Sequence, residues 1–278
     1  MTSDQSDTPA DVNTTEVAGP VAAAQDEGHA ECQTTPLTFL GTGNFSAPAR
    51  YWNSFLIGDR ILVEPSPAVL PNLRKAGVDP RAIDVIFISH SHADHTFGWP
   101  FLLLSYLLWD RRDTDLWVVG PPGIQGFLET MVRAGAIDHI VTASRDAQGG
   151  GFSLRYVEVS GGEQTAGDIG FRAIRVEHDP ALDCYGFLIS DGARTLGYSG
   201  DSRLCDGLRQ IASGADTLVL ACNQRHEITP IHMNLDDVRT LRAEFPNLPF
   251  VLTHRGPDVD GDGIDNVIVP DDLESIAL

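Results

Sequence analysis

From Leu37 onward the chain alternates short apolar runs with turn residues, and the period and length of each run assign its element. LTFLGTG (37–43), SFLI (54–57) and ILVE (61–64) are too short and too continuous for helices. They read as strands, the last two joined by a tight hairpin at Gly58 and Asp59. PAVLPNLRKAG (67–77) reads as a helix ending at Gly77, VIFIS (85–89) as a strand and PFLLLSYLLWD (100–110) as an apolar helix. LWVVG (116–120) is a strand and GIQGFLETMVRAG (123–135) a helix, followed by the strands FSLRYVEV (152–159) and FRAIRVEH (171–178). CYGFLIS (184–190) and ARTLGYS (193–199) form a second hairpin about Asp191 and Gly192, and TLVLAC (217–222) is a strand. NLDDVRTLRAEF (234–245) opens with Asn234 as N-cap and Asp236 and Asp237 in the first turn, and PFVLTH (249–254) closes the pattern as a strand. Strands and helices recur in both halves, as a two-sheet sandwich would produce.

Residues 1–36 depart from this pattern. They are rich in Ser, Thr, Asp, Ala and Gln, with seven acids, no Lys or Arg and almost no large apolar residue. Ordering them would bury too little, so they read as a disordered acidic tail ahead of one domain, 37–278. The 278-residue chain has a formal charge of −20, of which the body keeps about −13 once the seven tail acids are set aside. Such a surface disfavours nucleic acid and anionic membrane, so the expected partner is a small-molecule substrate, with no nucleic acid and no membrane. Cys32, Cys184, Cys205 and Cys222 show no CxxC spacing, which favours a reduced, cytoplasmic setting. The longest apolar run, FLLLSYLLW (101–109), is too short to span a bilayer. It reads as a buried helix, or as the lining of an apolar pocket or of a homodimer contact.

The chemistry concentrates in FISHSHADHTFGWP (87–100), where His90, His92, Asp94 and His95 follow directly on a buried strand. Alternate side chains of an extended segment share one side, so His90 and His92 can grip one metal. As the chain turns, Asp94 and His95 reach a neighbouring position, a pattern for two ions. More ligands must come from elsewhere. Of the nine histidines, His29 lies in the tail and His139 in a surface turn, whereas His178 and His254 each end an apolar strand as His90 does. Asp201, in YSGDS, follows a strand in the same manner.

The order HxHxDH, His, Asp, His, with the aspartate in GYSGDS and the last histidine in VLTH, resembles the metallo-β-lactamase superfamily of binuclear metal hydrolases over about 37–278. Within it, LTFLGTG, GPPG after a strand, HDPALDCYGFLI and FVLTH are similar to the branch containing ribonuclease Z, arylsulfatases and small phosphodiesterases. The resemblance implies an α/β fold, the αββα four-layer sandwich, with its site at the edge of the two sheets. It implies His90, His92 and His178 on one ion, Asp94, His95 and His254 on the other, and Asp201 bridging. Two divalent ions are expected, zinc by default, with iron or manganese suited to the same ligands. Two such ions bring the pKa of a bridging water toward neutrality and polarise a substrate oxygen. Two dications less Asp94, Asp201 and a hydroxide leave a local charge of about +1, which admits an anionic substrate despite the acidic body. His232, in PIHMNLDDV before a helix N-terminus, lies near where the family places a histidine behind the ligands. It is expected, with Asp94, to be catalytic, as the acid for the leaving group or as a phosphate contact.

The departures bear on substrate. EPS (64–66) stands where DCG is usual, the stretch 124–177 lacks a basic Gly-rich arm, and QGGG (148–151) reads as a turn. His226 and Glu227 echo a HEAT motif of ribonuclease Z, but ACN occupies the place directly after the strand, so the role is not carried over. Arg255 reads as a solvated rim residue or an anion clamp. DVDGDG (258–263) reads as a solvated acidic turn, since a calcium loop needs Glu where Val269 stands. Phosphodiester cleavage on a small anionic molecule is the leading expectation and a lactonase or thioesterase the second, ahead of tRNA 3′-end cleavage and a non-catalytic metal-binding module.

Overall fold

The structure is a computed structural model describing residues 35–147, 151–190, 192 and 194–277. The acidic tail read over 1–36, apart from its last two positions, and most of the QGGG turn lie outside the described residues. The strands are β1 (Leu37–Gly41), β2 (Ser54–Ile57), β3 (Ile61–Val63), β4 (Val85–Phe87), β5 (Leu116–Gly120) and β6 (Leu154–Glu158) in the first half. The second half adds β7 (Glu163–Ala166), β8 (Ile169–Arg175), β9 (Tyr185–Ser190), β10 (Thr195–Tyr198), β11 (Thr217–Ala221), β12 (Phe250–Thr253), β13 (Val267–Ile268) and β14 (Ser275–Ile276). The helices are α1 (Val69–Lys75), α2 (Ala93–Thr96), α3 (Trp99–Leu104), α4 (Ile124–Ala134), α5 (Asp138–Ala147), α6 (Asp206–Gly214) and α7 (Leu235–Glu244).

Two mixed sheets result, ordered β14-β1-β2-β3-β4-β5-β6 and β13-β12-β11-β10-β9-β8-β7. Pairing is parallel along β3 to β6 and β10 to β13, with helices crossing over between all of these strands but β12 and β13, and antiparallel elsewhere. The parallel strands β4 and β11 are buried at every residue, because both faces are covered. Between the sheets, Phe87 meets Phe171 and Phe187 edge-on at 5.3 and 5.2 Å, and Phe55 meets Tyr198 at 5.3 Å. Leu73, Leu102 and Leu128 of α1, α3 and α4 pack on the outer face of the first sheet, and Leu208 and Val238 of α6 and α7 on that of the second. These are the four layers of the αββα sandwich. Among the described residues no helix is long and apolar enough to cross a membrane.

Several elements differ from the sequence reading, which also lacked the short strands β7, β13 and β14. The apolar run at 100–110 is not one buried helix: α3 gives way to a π-helical turn at Ser105–Trp109, and Phe101, Leu108 and Trp109 are exposed. A run without a polar face has no periodicity to say which side turns inward. His139 lies exposed in α5 rather than in a turn. Helix α6 was not foreseen, although Leu208, Ile211 and Ala212 at helical spacing form its buried stripe.

Candidate metal centre

The strands deliver their chemistry at their carboxyl ends, where open α/β sheets place ligands. His90 follows β4, His92 caps α2 and Asp94 and His95 lie within it; His178 follows β8, Asp201 follows β10 and His254 follows β12. Gly200 makes the turn before Asp201 with φ +58°, and a Cβ there would stand 2.4 Å from the Tyr185 carbonyl oxygen. His254 and Glu64 also hold left-handed backbone, φ 50° and 60°. Such conformations cost about 1–3 kcal/mol each and concentrate where a site demands them.

Two clusters form. In the first, His92 Nδ1 lies 2.9 Å from His90 Nε2 and 3.3 Å from His178 Nε2. In the second, His254 Nε2 lies 3.1 Å from His95 Nε2 and 3.3 Å from Asp94 Oδ2. Asp201 Oδ2 sits between them, 3.9 Å from His178 Nε2, 3.6 Å from His95 Nε2 and 3.5 Å from His254 Nε2. All seven residues expected as ligands are thus brought together, and His232 Nδ1 joins them 3.8 Å from Asp201 Oδ2.

The outward nitrogens are held from behind, by partners that the sequence reading missed. His92 Nε2 faces Asp179 Oδ2 at 3.3 Å, His178 Nδ1 faces the Ile231 carbonyl at 3.2 Å, and His90 Nδ1 faces Ser89 Oγ at 2.9 Å. His254 Nδ1 lies 2.7 Å from Asn223 Oδ1. His95 Nδ1 lies 3.4 Å from Glu64 Oε1, an ion-pair distance rather than an aligned hydrogen bond. Glu64 is fully buried; its carboxylate accepts from Ser89 N–H and from Tyr198 O–H at 3.1 Å. The EPS variant thus keeps a carboxylate behind the site, with Tyr198 of the other sheet steadying it. Only Ser89, adjacent to His90, and Asp179, adjacent to His178, had a local signal.

The electrostatics call for a cation. Burial opposes ionisation of Asp201, yet His254 and His95 hold its pKa well below the usual carboxylate range. Burial works against Asp94 too, but His254 and His95 bring its pKa down to about 2. Burial opposes charging of His95, while Asp201 and Glu64 hold its pKa well above the usual imidazole value. Burial depresses His90 and His178, and lowers His232 to about 4. Asp201 is 2% exposed, its Oδ1 is without a hydrogen-bond partner, and its ion-pair neighbours among the described residues are histidines alone. Imidazole lone pairs converging on buried carboxylates fit divalent ions of borderline hardness.

The remaining candidates lie outside this cluster's chemistry. His226 and Glu227 are exposed on a loop. Arg255 is neither rim nor clamp: it is 2% exposed and donates to the carbonyls of Val259 and Pro270 and to Thr42 Oγ1. Asp260 and Asp262 pair with Arg225, and Asp262 also with Arg239, so the acidic turn is an ion-pair network.

Residues 59–254 match the family model described as a beta-lactamase superfamily domain, well over half of the chain. The chain belongs to the beta-lactamase superfamily. Among its superfamily relatives, ribonuclease Z of Limosilactobacillus reuteri (strain DSM 20016) is 31% identical over 163 residues, which cover 56% of this chain and 48% of that one. The match thus spans about half the length of that relative. The crystal structure of a new diphosphatase from the PhnP family superposes with TM-score 0.69 at 17% identity, covering 88% of this chain and 98% of that one. Human tRNase Z, short form, superposes with TM-score 0.66 at 19% identity, covering 87% and 98%. These last two share the fold.

The family corrects one expectation. An acidic body does not exclude nucleic acid here, because the relative is a ribonuclease and a neighbour in fold is a tRNase. The physical reason is that net charge sums the whole surface, whereas a substrate responds to the field of the cleft it enters.

Proposed function

We propose that this superfamily chain is a metal-dependent hydrolase of phosphodiesters, working with two divalent ions, zinc by default. The observation that carries the reading is the convergence of two ligand clusters on Asp201, whose Oδ2 lies within 4 Å of nitrogens from both. The ribonuclease Z relative and the diphosphatase of like fold, both named for cleavage of phosphate bonds, support the choice of bond. His90, His92 and His178 would hold one ion and Asp94, His95 and His254 the other, with Asp201 between. When bound, such a pair supplies Lewis acidity and a nucleophile active near neutral pH. The chain's own part is orientation: carboxylate, amide, carbonyl and hydroxyl partners stand behind the imidazoles and favour a lone pair facing inward. His232, half-buried beside Asp201 and kept neutral by burial, would steady the leaving oxygen with a hydrogen bond.

The test is hydrolysis of bis(p-nitrophenyl) phosphate and of an RNA carrying a 3′ extension by zinc-loaded protein, beside Asp94→Ala and His232→Ala. Turnover of either substrate should fall roughly 10²–10⁴-fold in His232→Ala with zinc retained, and Asp94→Ala should lose activity and metal together. Zinc-loaded protein that opens lactones or thioesters but neither phosphodiester refutes the phosphodiester reading.

A further inference from the structure

Asn223 ends the ACN stretch, two residues past the last residue of β11. It is buried, and its backbone is pinned on both sides: Cys222 N–H donates to the Thr253 carbonyl at 3.0 Å and Asn223 N–H to the Met233 carbonyl at 3.1 Å. Asn44 Nδ2 donates to the Asn223 carbonyl at 3.4 Å. The side chain therefore has a fixed root, and its two ends meet two histidines. Oδ1 stands 2.7 Å from His254 Nδ1, and Nδ2 stands 2.5 Å from His232 Nδ1.

An amide oxygen only accepts and an amide nitrogen only donates, so these two contacts assign ring protons. His254 must carry its proton on Nδ1 to donate to Oδ1, which leaves Nε2 as a bare lone pair, 3.1 Å from His95 Nε2 and 3.3 Å from Asp94 Oδ2. His232 must keep Nδ1 bare to accept from Nδ2, which places its proton on Nε2. Turning the amide over reverses both assignments and puts a proton on His254 Nε2, where a ligand needs a lone pair. With a metal on His254, a single orientation of Asn223 survives.

We propose that Asn223 is a positioning residue that sets opposite tautomers in His254 and His232, making the first a metal ligand and the second a neutral hydrogen-bond donor through Nε2. The inference rests on the reading of His254 as a ligand and of His232 as the group serving the leaving oxygen. It adds that one amide couples the two roles. A carboxylate at this position would accept from both rings and move the proton of neutral His232 to Nδ1.

Nitrogen NMR of zinc-loaded, ¹⁵N-histidine-labelled protein tests it without substrate. Among the imidazoles free of zinc, those of His29, His139, His226 and His232, the signal that is absent from His232→Gln should show Nδ1 bare and Nε2 protonated in the wild type. In Asn223→Asp zinc should be retained and the His232 proton should move to Nδ1. In Asn223→Leu zinc affinity should fall roughly 10–100-fold, the usual cost of losing a partner behind a ligand. His232 protonated on Nδ1 in the wild type, or Asn223→Leu binding zinc as the wild type does, overturns the proposal. Because no substrate is used, a failure of phosphodiester hydrolysis leaves these readouts standing and counts only against the function proposed above.

Discussion

Replacing Tyr198 by Phe tests whether the second sheet braces the ligands carried by the first. Tyr198 ends β10 fully buried; its hydroxyl donates to Glu64 Oε1 at 3.1 Å and accepts from Asn53 Nδ2 at 2.8 Å. Asn53 Oδ1 in turn accepts from Thr253 Oγ1 at 2.6 Å, next to His254, while Glu64 faces His95. The chain of contacts thus runs beneath both imidazoles of one cluster. Tyr198→Phe keeps the ring and its packing on Phe55 but deletes a hydrogen bond to a charged acceptor, worth about 1.5–3 kcal/mol. It also leaves the buried Asn53 N–H without its partner, a further cost of about 1–3 kcal/mol. Because the neighbourhood relaxes, a total of about 3 kcal/mol is expected. In a domain of this size that lowers Tm by roughly 6–12 °C. Calorimetry on metal-free and zinc-loaded protein measures it, and a double-mutant cycle with Asn53→Ala should show coupling of about 1 kcal/mol. A Tm within about 1 °C of wild type in both forms would refute the bracing argument.

Three further outcomes are expected. In metal-free protein, Asp94, with its pKa brought down to about 2, contributes stability that is present above its ordinary value of 3.8 and is lost as pH falls toward 2, about 2 kcal/mol by urea titration. His232, lowered to about 4, adds a loss of about 3 kcal/mol between its ordinary 6.5 and pH 4, because the unfolded chain takes up a proton that the native one refuses. Asp201→Asn should weaken zinc binding at both positions together, by on the order of 10–100-fold in a chelator competition, whereas His92→Ala should leave the second position near wild type. Phe187→Ala, at a fully buried residue edge-on to Phe87 and Phe171, should cost about 3–5 kcal/mol in denaturant unfolding with the zinc stoichiometry unchanged.

The residues that sequence reasoning found share a local signature. His90, His92, Asp94 and His95 sit within six positions, and His178, Asp201 and His254 each end an apolar strand. Their backing is different in kind. Glu64 reaches His95 and Asn223 reaches His254 across 31 positions each, and Tyr198 reaches Glu64 across 134, between strands of opposite sheets. No spacing in the chain announces such pairs, because they exist only once the two sheets are stacked. The same holds for Arg255: the chain shows a cation beside a ligand, and only the fold shows it buried on loop carbonyls. Net charge misled for a related reason, since a sum over 278 residues carries no information about one cleft.

Periodicity and local spacing by themselves determined most of the strands and helices, because alternation and helical stripes are properties of contiguous residues, while the αββα layering was implied by the family resemblance of the motifs. They also determined which side chains are delivered to the carboxyl ends of the strands. The tertiary structure alone decided how those side chains are held: which ring nitrogen faces inward, and that a glutamate stands behind His95 and an asparagine behind His254. It also decided that the apolar run at 101–109 leaves Phe101, Leu108 and Trp109 at the surface. Those outcomes depend on distances between segments far apart in the chain, which packing sets and local pattern cannot encode.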